Sequence, residues 1–189
     1  ANPYALYPSG IPAGQDGPDQ TGAIFDEDFK QWTSPFIMAA INTRVVRRSN
    51  ALLGFPWGKD FRYDEATLNA SRYQAIRNSV AGGVGLVALA LGPTRALAQR
   101  LLPKPGEGPS REQREAGYYE VFFRGIDPND RSRDTVLRVS GDLDPGYGST
   151  SKMLGEAAVC LAQDELAVGG GFWTPAAALG GKYLQRLTS

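Results

Sequence analysis

Three arginines stand close together in the first third of the chain, at positions 44, 47 and 48. In a helix, this i, i+3, i+4 spacing directs Arg44, Arg47 and Arg48 toward one face, where their guanidiniums converge. Converging guanidiniums can bind a phosphate or a carboxylate through paired hydrogen bonds, and Asn42 and Asn50 add polar groups nearby. A solvated basic face near the end of a helix explains the same spacing equally well. The sequence therefore predicts a candidate anion-binding site and leaves the alternative open.

A second candidate site is the glycine-rich segment GDLDPGYGSTSK at residues 141–152. It leads from a predicted strand into a predicted helix, whose first N–H groups are available to bind a phosphate or a carboxylate. The side chains that would assist are those of Tyr147, Ser149, Ser151 and Lys152. Plain N-capping of the helix by Ser149 or Thr150 is the simpler interpretation and is favoured.

Two enzyme motifs are matched only in part. Residues 83–88 read GVGLVA and fit G-x-G-x-x-A, but a dinucleotide site needs a preceding strand and a later acidic residue. A helical pattern precedes this motif and Lys104 stands near the acidic position, which favours a closely packed helix face of small residues. Ser149 and Lys152 fit S-x-x-K, yet the S-D-N and K-T-G partners of serine acylating enzymes do not occur. We therefore predict no cofactor-binding residue in this chain.

The amino-acid composition excludes several kinds of site. The 189 residues include no histidine and a single cysteine, Cys160, which excludes a Ser-His-Asp triad, a Cys-His pair and an intrachain disulfide. A His-ligated zinc site is excluded as well, and no metal site is predicted. Twenty basic residues against twenty acidic ones argue against a nucleic-acid partner.

The same composition bears on where the protein works. A lone cysteine fits a reducing compartment, and the first residues show neither the basic nor the apolar region of a signal peptide. We expect an intracellular protein, cytoplasmic or at a membrane or lipid surface, and not a secreted one.

Turn signals and hydrophobic spacing predict the elements that position the arginines. Residues 1–31 are rich in Pro, Gly and Asp and are predicted to form an extended lead, with residues 32–189 as one domain. A helix is predicted to begin with Ser34 as N-cap and Pro35 in its first turn. Its buried stripe would consist of Ile37, Ile41, Val45 and Leu52. A second helical stretch is expected from about Asp64.

The arginines lie beside this predicted stripe on a helical wheel, not opposite it. A charged side chain at the edge of a buried stripe either reaches solvent or finds an internal partner. We expect a carboxylate partner from the second candidate site, Asp142 or Asp144. The helix and the glycine-rich segment would then form one wall of a cleft.

The most apolar run of the chain is SVAGGVGLVALALG at residues 79–92. It is shorter than the roughly 20 apolar residues that span a membrane, and a core helix with Leu86, Val87 and Leu89 buried is expected. Pro93 interrupts the run, and residues 94–102 continue with an amphipathic pattern. The alternative is an interfacial helix on a membrane or lipid surface. Its basic flank would consist of Arg95, Arg100 and Lys104.

The second half of the chain carries the clearest β pattern. GYYEVFFRG (117–125) and DTVLRVSGD (134–142) are rich in β-branched and aromatic residues and predict an antiparallel hairpin. Helices are predicted around residues 153–161 and after Thr174. Together these elements predict an α+β fold, in which a small, mainly antiparallel or mixed sheet packs against several helices.

Five segments, in order along the chain from Trp32 onward, together resemble one protein family. Their sequences are WTSPFIMAAINTRVVRRSNALLG (32–54), KDFRYDEA (59–66), LPKPGEGPSREQREAGYYEVFFRG (102–125), RVSGDLDPGYGSTSKMLGEAAVCLA (138–162) and GGGFWTPAAALG (169–180). They resemble the C-terminal part of saccharopine-dehydrogenase-like oxidoreductases, a group that includes the mycobacterial trans-acting enoyl reductases.

The resemblance implies an α+β domain on the substrate side of a cleft that faces an N-terminal Rossmann domain, which has no counterpart in this sequence. It implies NADP(H) as the cofactor of the complete enzyme and an enoyl double bond on a lipid chain as its substrate. This chain alone is then expected neither to bind the dinucleotide nor to be active. The implied partners are the Rossmann domain or subunit and a second copy in a homodimer.

The alternative function is a non-enzymatic module that binds a lipid, a membrane surface or another protein. It rests on the apolar run and its basic flank. The resemblance identifies no catalytic residues. The nine candidate site residues are therefore predicted from the residues alone.

Overall fold

A computed structural model of the chain describes residues 2–91, 93–94 and 106–188. The contacts within the chain divide it into two compact units, and only the described residues of each unit are discussed below. Unit 1 comprises Ala1–Leu101 with Ala167–Gly180, and unit 2 comprises Leu102–Leu166 with Gly181–Ser189. The predicted basic flank of Arg95, Arg100 and Lys104, with most of the amphipathic pattern around it, lies outside the described residues. The predicted division into a lead of residues 1–31 and a domain of residues 32–189 stays a prediction.

Unit 1 contains a three-stranded antiparallel sheet. Its strands are β1 (Ile24–Asp26), β2 (Gln31–Pro35) and β3 (Ala66–Asn69), with β2 in the middle. Thr33 of β2 pairs with Ile24 on one side and with Leu68 on the other. The lead, predicted to be loop, therefore contributes the edge strand β1 to this sheet.

The first helix begins later than the sequence predicts. Ser34 and Pro35, expected as its N-cap and first turn, end strand β2, and helix α1 spans Ala39–Leu52. The buried Ser34 hydroxyl accepts a hydrogen bond from Asn69 Nδ2 at 3.0 Å. The hydroxyl that was expected to cap a helix thus bonds to a side chain of β3, and the prediction for these two residues was wrong.

The predicted apolar stripe of α1 was also wrong. Ile37 and Ile41 are exposed, and Val45 and Leu52 are half-buried. The buried residues of α1 are mostly polar: Ala39, Thr43, Arg44, Arg47, Ser49, Asn50 and Ala51. Burial of these polar groups requires partners within unit 1, and those partners are described with the site below.

Strand β3 and helix α2 occupy the stretch predicted to be helical from about Asp64. Helix α2 spans Arg72–Ala90 and begins after Ser71, whose hydroxyl accepts a hydrogen bond from Gln74 N at 3.2 Å. It packs against β2 and β3. Ala75, near its start, is the buried residue among those described in α2.

The apolar second half of α2 is not in a core. Leu86, Val87 and Leu89, all predicted to be buried, are exposed. The physical reason is length, because α2 has 19 residues while the strands beneath it have five and four. Strands that short support only the N-terminal half of such a helix.

Unit 2 contains the predicted hairpin and most of the remaining helices. Its elements are α3 (Arg111–Glu115), β4 (Tyr119–Gly125), a 3₁₀ turn (Arg131–Arg133), β5 (Thr135–Gly141) and α4 (Gly148–Gln163). Strands β4 and β5 pair antiparallel, with Val121 opposite Val139 and Phe123 opposite Leu137. The hairpin and the helix around residues 153–161 are confirmed.

Two helices follow at the end of the chain, α5 (Pro175–Ala178) in unit 1 and α6 (Gly180–Thr188), which lies in unit 2 after its first residue. The predicted start of a helix after Thr174 is confirmed, with Pro175 in its first turn. Small antiparallel sheets and six helices within the described residues confirm the predicted α+β class. None of the described helices is both long enough and apolar enough to cross a bilayer.

Candidate functional site

Arg47 lies at the centre of a buried polar network in unit 1. Its side chain is 3% exposed, and Nε donates a hydrogen bond to Asp16 Oδ2 at 2.5 Å. Its two terminal nitrogens donate to Pro3 O at 3.1 Å and to Tyr63 O at 2.6 Å. The guanidinium carbon also lies 5.6 Å from the centre of the Tyr4 ring. A carboxylate and two carbonyls therefore compensate the buried charge and its donors.

Asp16 is held from several directions. Its side chain is 7% exposed, and the hydroxyl of Tyr4 donates to Oδ2 at 3.1 Å. The Tyr63 N–H donates to Oδ1 at 3.2 Å, and the Asp16 N–H donates to the Tyr4 hydroxyl oxygen at 2.9 Å. Burial is the main reason that the pKa of Tyr4 is raised. This network joins the lead to α1 and to the loop before β3.

Arg44 makes a parallel connection to the lead. Its side chain is 4% exposed, and Nη1 donates to both carboxylate oxygens of Asp19, at 2.5 and 2.6 Å. The Nε atom donates to Asn2 O at 3.3 Å. The hydrogen bond from Arg44 holds the pKa of Asp19 below its ordinary value. Asp19 therefore stays ionised to lower pH than a free aspartate does.

Arg48 binds backbone carbonyls instead of carboxylates. One terminal nitrogen donates to Leu6 O at 2.7 Å and the other to Phe172 O at 2.9 Å. Both acceptors belong to unit 1. Arg48 therefore connects α1 to the lead and to the segment before α5.

The two asparagines of the cluster brace neighbouring loops. Asn42 Nδ2 donates to Glu65 Oε2 at 2.9 Å. Asn50 Nδ2 donates to Gly58 O at 2.8 Å, and Asn50 Oδ1 accepts from Trp57 N at 3.2 Å. Each side chain thus has a structural partner close to α1.

These contacts change both interpretations of the arginine cluster. The carboxylates on Arg44 and Arg47 are Asp19 and Asp16, where the sequence suggested Asp142 or Asp144. A solvated basic face is wrong for these two arginines, since both are buried. Asp16 and Asp19 occupy the positions that a phosphate or carboxylate ligand would need. The sequence feature that could have identified these partners is the pair of aspartates three residues apart in the lead. Because residues 1–31 have the composition of a loop, no site was predicted there.

The start of α4 in unit 2 is capped by Asp144. Its Oδ2 accepts from Tyr147 N at 2.8 Å and its Oδ1 accepts from Gly148 N at 2.7 Å. These backbone hydrogen bonds hold the pKa of Asp144 below its ordinary value. The favoured interpretation, capping by Ser149 or Thr150, was wrong, because both hydroxyls donate to carbonyls and the carboxylate of Asp144 accepts the N–H groups instead.

The other predicted residues around this helix start differ in their surroundings. Ser149 is buried and its hydroxyl donates to Leu143 O at 3.2 Å. The Ser151 hydroxyl donates to Gly148 O at 2.9 Å. Tyr147, Ser151 and Lys152 are exposed on unit 2. These three residues are the part of the second candidate site that is open to a ligand.

The G-x-G-x-x-A motif lies inside a helix. Residues 83–88 fall in the second half of α2, well beyond its start at Arg72. Backbone N–H groups there bond to carbonyls of the preceding turn and cannot bind a phosphate. Close packing of small residues, the favoured alternative, was wrong as well, because a Cβ atom added at Gly83 or Gly85 would meet nothing within 4 Å.

Unit 2 also holds a polar depression that sequence reasoning missed. It has a volume of about 440 Å³ and is lined by Asp164, Lys182, Gln185 and Arg186. Arg186 donates to both Asp164 oxygens at 2.9 Å, which holds the pKa of Asp164 well below its ordinary value. Burial raises the pKa of the neighbouring Cys160 thiol. Within the described residues, no three Cys, Asp or Glu side chains are placed to hold a metal ion.

Comparison with known proteins gives relatives by sequence only. No protein-family profile matches the chain, and no solved structure matches it. One relative is a Mycobacterium tuberculosis protein with the provisional name trans-acting enoyl reductase, which is 42% identical to this chain over 165 residues. The match covers 82% of this chain and 39% of that protein. Trans-acting enoyl reductases of Mycobacterium ulcerans and Mycobacterium bovis are 38% identical over 167 residues, with the same coverage.

The chain thus spans about two fifths of the length of the curated relatives it matches. The matched part covers most of the residues described above, including the greater part of the two units. Over 82% of its length, the chain is homologous to proteins named trans-acting enoyl reductases.

Proposed function

We propose that this chain is the substrate-side part of an NAD(P)-dependent enoyl reductase of the saccharopine-dehydrogenase-like type, acting on an unsaturated acyl chain. The observation that supports it is the 38–42% identity over 82% of the chain to proteins named trans-acting enoyl reductases. Those relatives are longer, with 61% of their length outside the match, the complement of the matched 39%. We place dinucleotide binding in that remaining length, in a Rossmann domain or subunit that partners this chain.

Two segments in which the sequence suggests phosphate binding are poorly suited to a dinucleotide. The G-x-G-x-x-A motif lies in the interior of α2, where it offers no free N–H groups to a pyrophosphate. The start of α4 is already capped by the carboxylate of Asp144. We therefore assign no hydride-transfer step to this chain.

Substrate positioning is the contribution that the described residues support. Tyr147, Ser151 and Lys152 are exposed at the start of α4, with a phenol, a hydroxyl and an ammonium group that can bind a carbonyl or phosphate of an acyl thioester. The start of α4, where they lie, is held by the Asp144 cap. The arginine cluster has a different task, because its guanidiniums hold the lead.

The proposal is tested with a chimera of a Mycobacterium tuberculosis relative, in which this chain replaces the matching 39%. We expect the chimera to oxidise NADPH when a long-chain trans-2-enoyl thioester is added, and to yield the saturated thioester by mass spectrometry. A folded chimera that binds NADPH and leaves every enoyl thioester unreduced would refute the proposal.

A variant of the chimera tests the positioning residues. Lys152→Ala is expected to raise KM for the enoyl thioester, with an unchanged urea unfolding midpoint, because the side chain is exposed. Lys59→Ala, an exposed lysine of unit 1, is the matched control and should change neither quantity. Equal KM values for both variants would remove Lys152 from the site.

A further inference from the structure

Six large apolar side chains form a stripe along one face of α2. They are Tyr73, Ile76, Val80, Val84, Val87 and Leu91, the last directly after the helix. Their successive spacings of three or four residues place them within about 80° of arc on a helical wheel. Each is between 44% and 76% exposed. At 1.5 Å per residue, the stripe is about 27 Å long.

In the first half of α2, the stripe lies opposite the face that contacts the sheet. Ala75 is fully buried, and Asn78 Nδ2 donates to Asn69 Oδ1 of β3 at 2.8 Å. Both residues lie about half a turn of the wheel away from the stripe. A helix on a protein surface ordinarily carries polar side chains on this outer face. A continuous exposed stripe of this size marks an interaction surface.

The charges of the sequence that carries the stripe indicate what covers it. The chain as a whole has 20 basic and 20 acidic residues, yet residues 66–106 contain no Asp or Glu. The basic residues in this range are Arg72, Arg77, Arg95, Arg100 and Lys104. An apolar stripe within a purely basic segment complements a surface that is anionic outside and apolar beneath.

We propose that α2 lies in the plane of an anionic lipid bilayer, with the stripe inserted among the acyl chains and Arg72 and Arg77 of α2 against the headgroups. Tyr73 suits this position, since its ring is apolar and its hydroxyl is polar. A second copy of the chain fits less well, because a symmetric pairing of stripes would bring two basic segments together. The proposal is independent of the proposed enzyme activity.

The test uses the 189-residue chain and lipid vesicles. Binding is measured by co-sedimentation with vesicles of phosphatidylcholine alone and of phosphatidylcholine with about one third phosphatidylglycerol. Val84→Asp introduces a charge into the stripe at a side chain that is 63% exposed, and Val136→Asp makes the same change on β5 at 62% exposure. Val80→Asn is a second stripe variant without a charge. Circular dichroism verifies that each variant is folded.

We expect the chain to bind the anionic vesicles and to bind phosphatidylcholine vesicles at least tenfold more weakly. Val84→Asp should weaken binding to anionic vesicles at least tenfold and Val80→Asn severalfold, while Val136→Asp leaves it unchanged. Raising NaCl from about 0.1 M to about 1 M should also weaken binding, because the salt screens the basic residues.

Other results would overturn the proposal. One is equal binding by Val84→Asp and the unaltered chain. Another is a dimer that Val84→Asp abolishes, with no vesicle binding, which would assign the stripe to a second copy. The same variants are compared in the longer chimera. Binding by the isolated chain and not by the chimera would also overturn the proposal, because the rest of the longer protein would then cover the stripe in place of the bilayer.

Discussion

Replacing Asp16 by asparagine tests whether the arginine network holds unit 1 together. The substitution keeps the shape of the side chain and removes the charge that faces Arg47, whose side chain is 3% exposed. The oxygen that accepts from Arg47 Nε also accepts from the Tyr4 hydroxyl. If the amide nitrogen of asparagine took the place of that oxygen, it would face the N–H of Arg47 Nε. Arginine can only donate, so this hydrogen bond would be lost.

The expected magnitude follows from burial. Removing one partner of a buried ion pair costs about 3–5 kcal/mol, whereas an exposed pair contributes about 1 kcal/mol or less. Lys30 and Glu27 form such an exposed pair in unit 1, at 2.8 Å, with side chains 73% and 76% exposed. We expect Asp16→Asn to lower the free energy of unfolding by about 3 kcal/mol and Glu27→Gln to lower it by less than about 1 kcal/mol.

Tryptophan fluorescence during urea denaturation measures this difference in unit 1 alone. The three tryptophans, Trp32, Trp57 and Trp173, all belong to that unit. With a denaturant slope of about 1.5 kcal/mol per molar urea, Asp16→Asn should lower the midpoint by about 2 M. If its midpoint lies within about 0.5 M of that of Glu27→Gln, the network does not stabilise unit 1 as argued.

Three further predictions follow from individual contacts. Gly117→Ala should destabilise unit 2, because its Cβ would lie 2.6 Å from a backbone Cα, whereas the Cβ of Gly155→Ala meets open space. Gly155→Ala should therefore stabilise its helix by about 0.5–1 kcal/mol, and urea unfolding followed by circular dichroism distinguishes the two. Asp19→Asn should be less stable than the unaltered chain at pH 7, since Arg44 lowers the pKa of Asp19 in the folded state. That difference should shrink below about pH 4, as the carboxyl protonates, and a constant difference from pH 7 to pH 2 would contradict the pairing. Thr174→Val should lower the free energy of unfolding of unit 1 by about 1 kcal/mol, because the buried 2.7 Å hydrogen bond between the hydroxyls of Thr174 and Ser49 of α1 is lost. Thr174→Ser keeps the hydroxyl and should retain most of that stability in the fluorescence assay.

Local patterns in the sequence were enough for the second half of the fold. The β-branched and aromatic runs at residues 117–125 and 134–142 form the hairpin, whose strands are near neighbours in the chain. Pro175 occupies the first turn of its helix as expected. The α+β class and the resemblance to the enoyl reductases likewise came from residues alone. Such features depend on nearby residues, for which propensity and turn chemistry suffice.

Tertiary structure decided the environment of the arginines and of α2. Arg47 meets Asp16 across 31 positions of the chain, and no local pattern identifies that partner. The spacing of Ile37 and Ile41 indicated a buried face, yet the polar face is the one that unit 1 covers. Likewise, apolar composition predicted a core position for the second half of α2, but the short strands end before reaching it. Composition determines which side chains favour burial, and only the arrangement of distant segments determines which of them are covered.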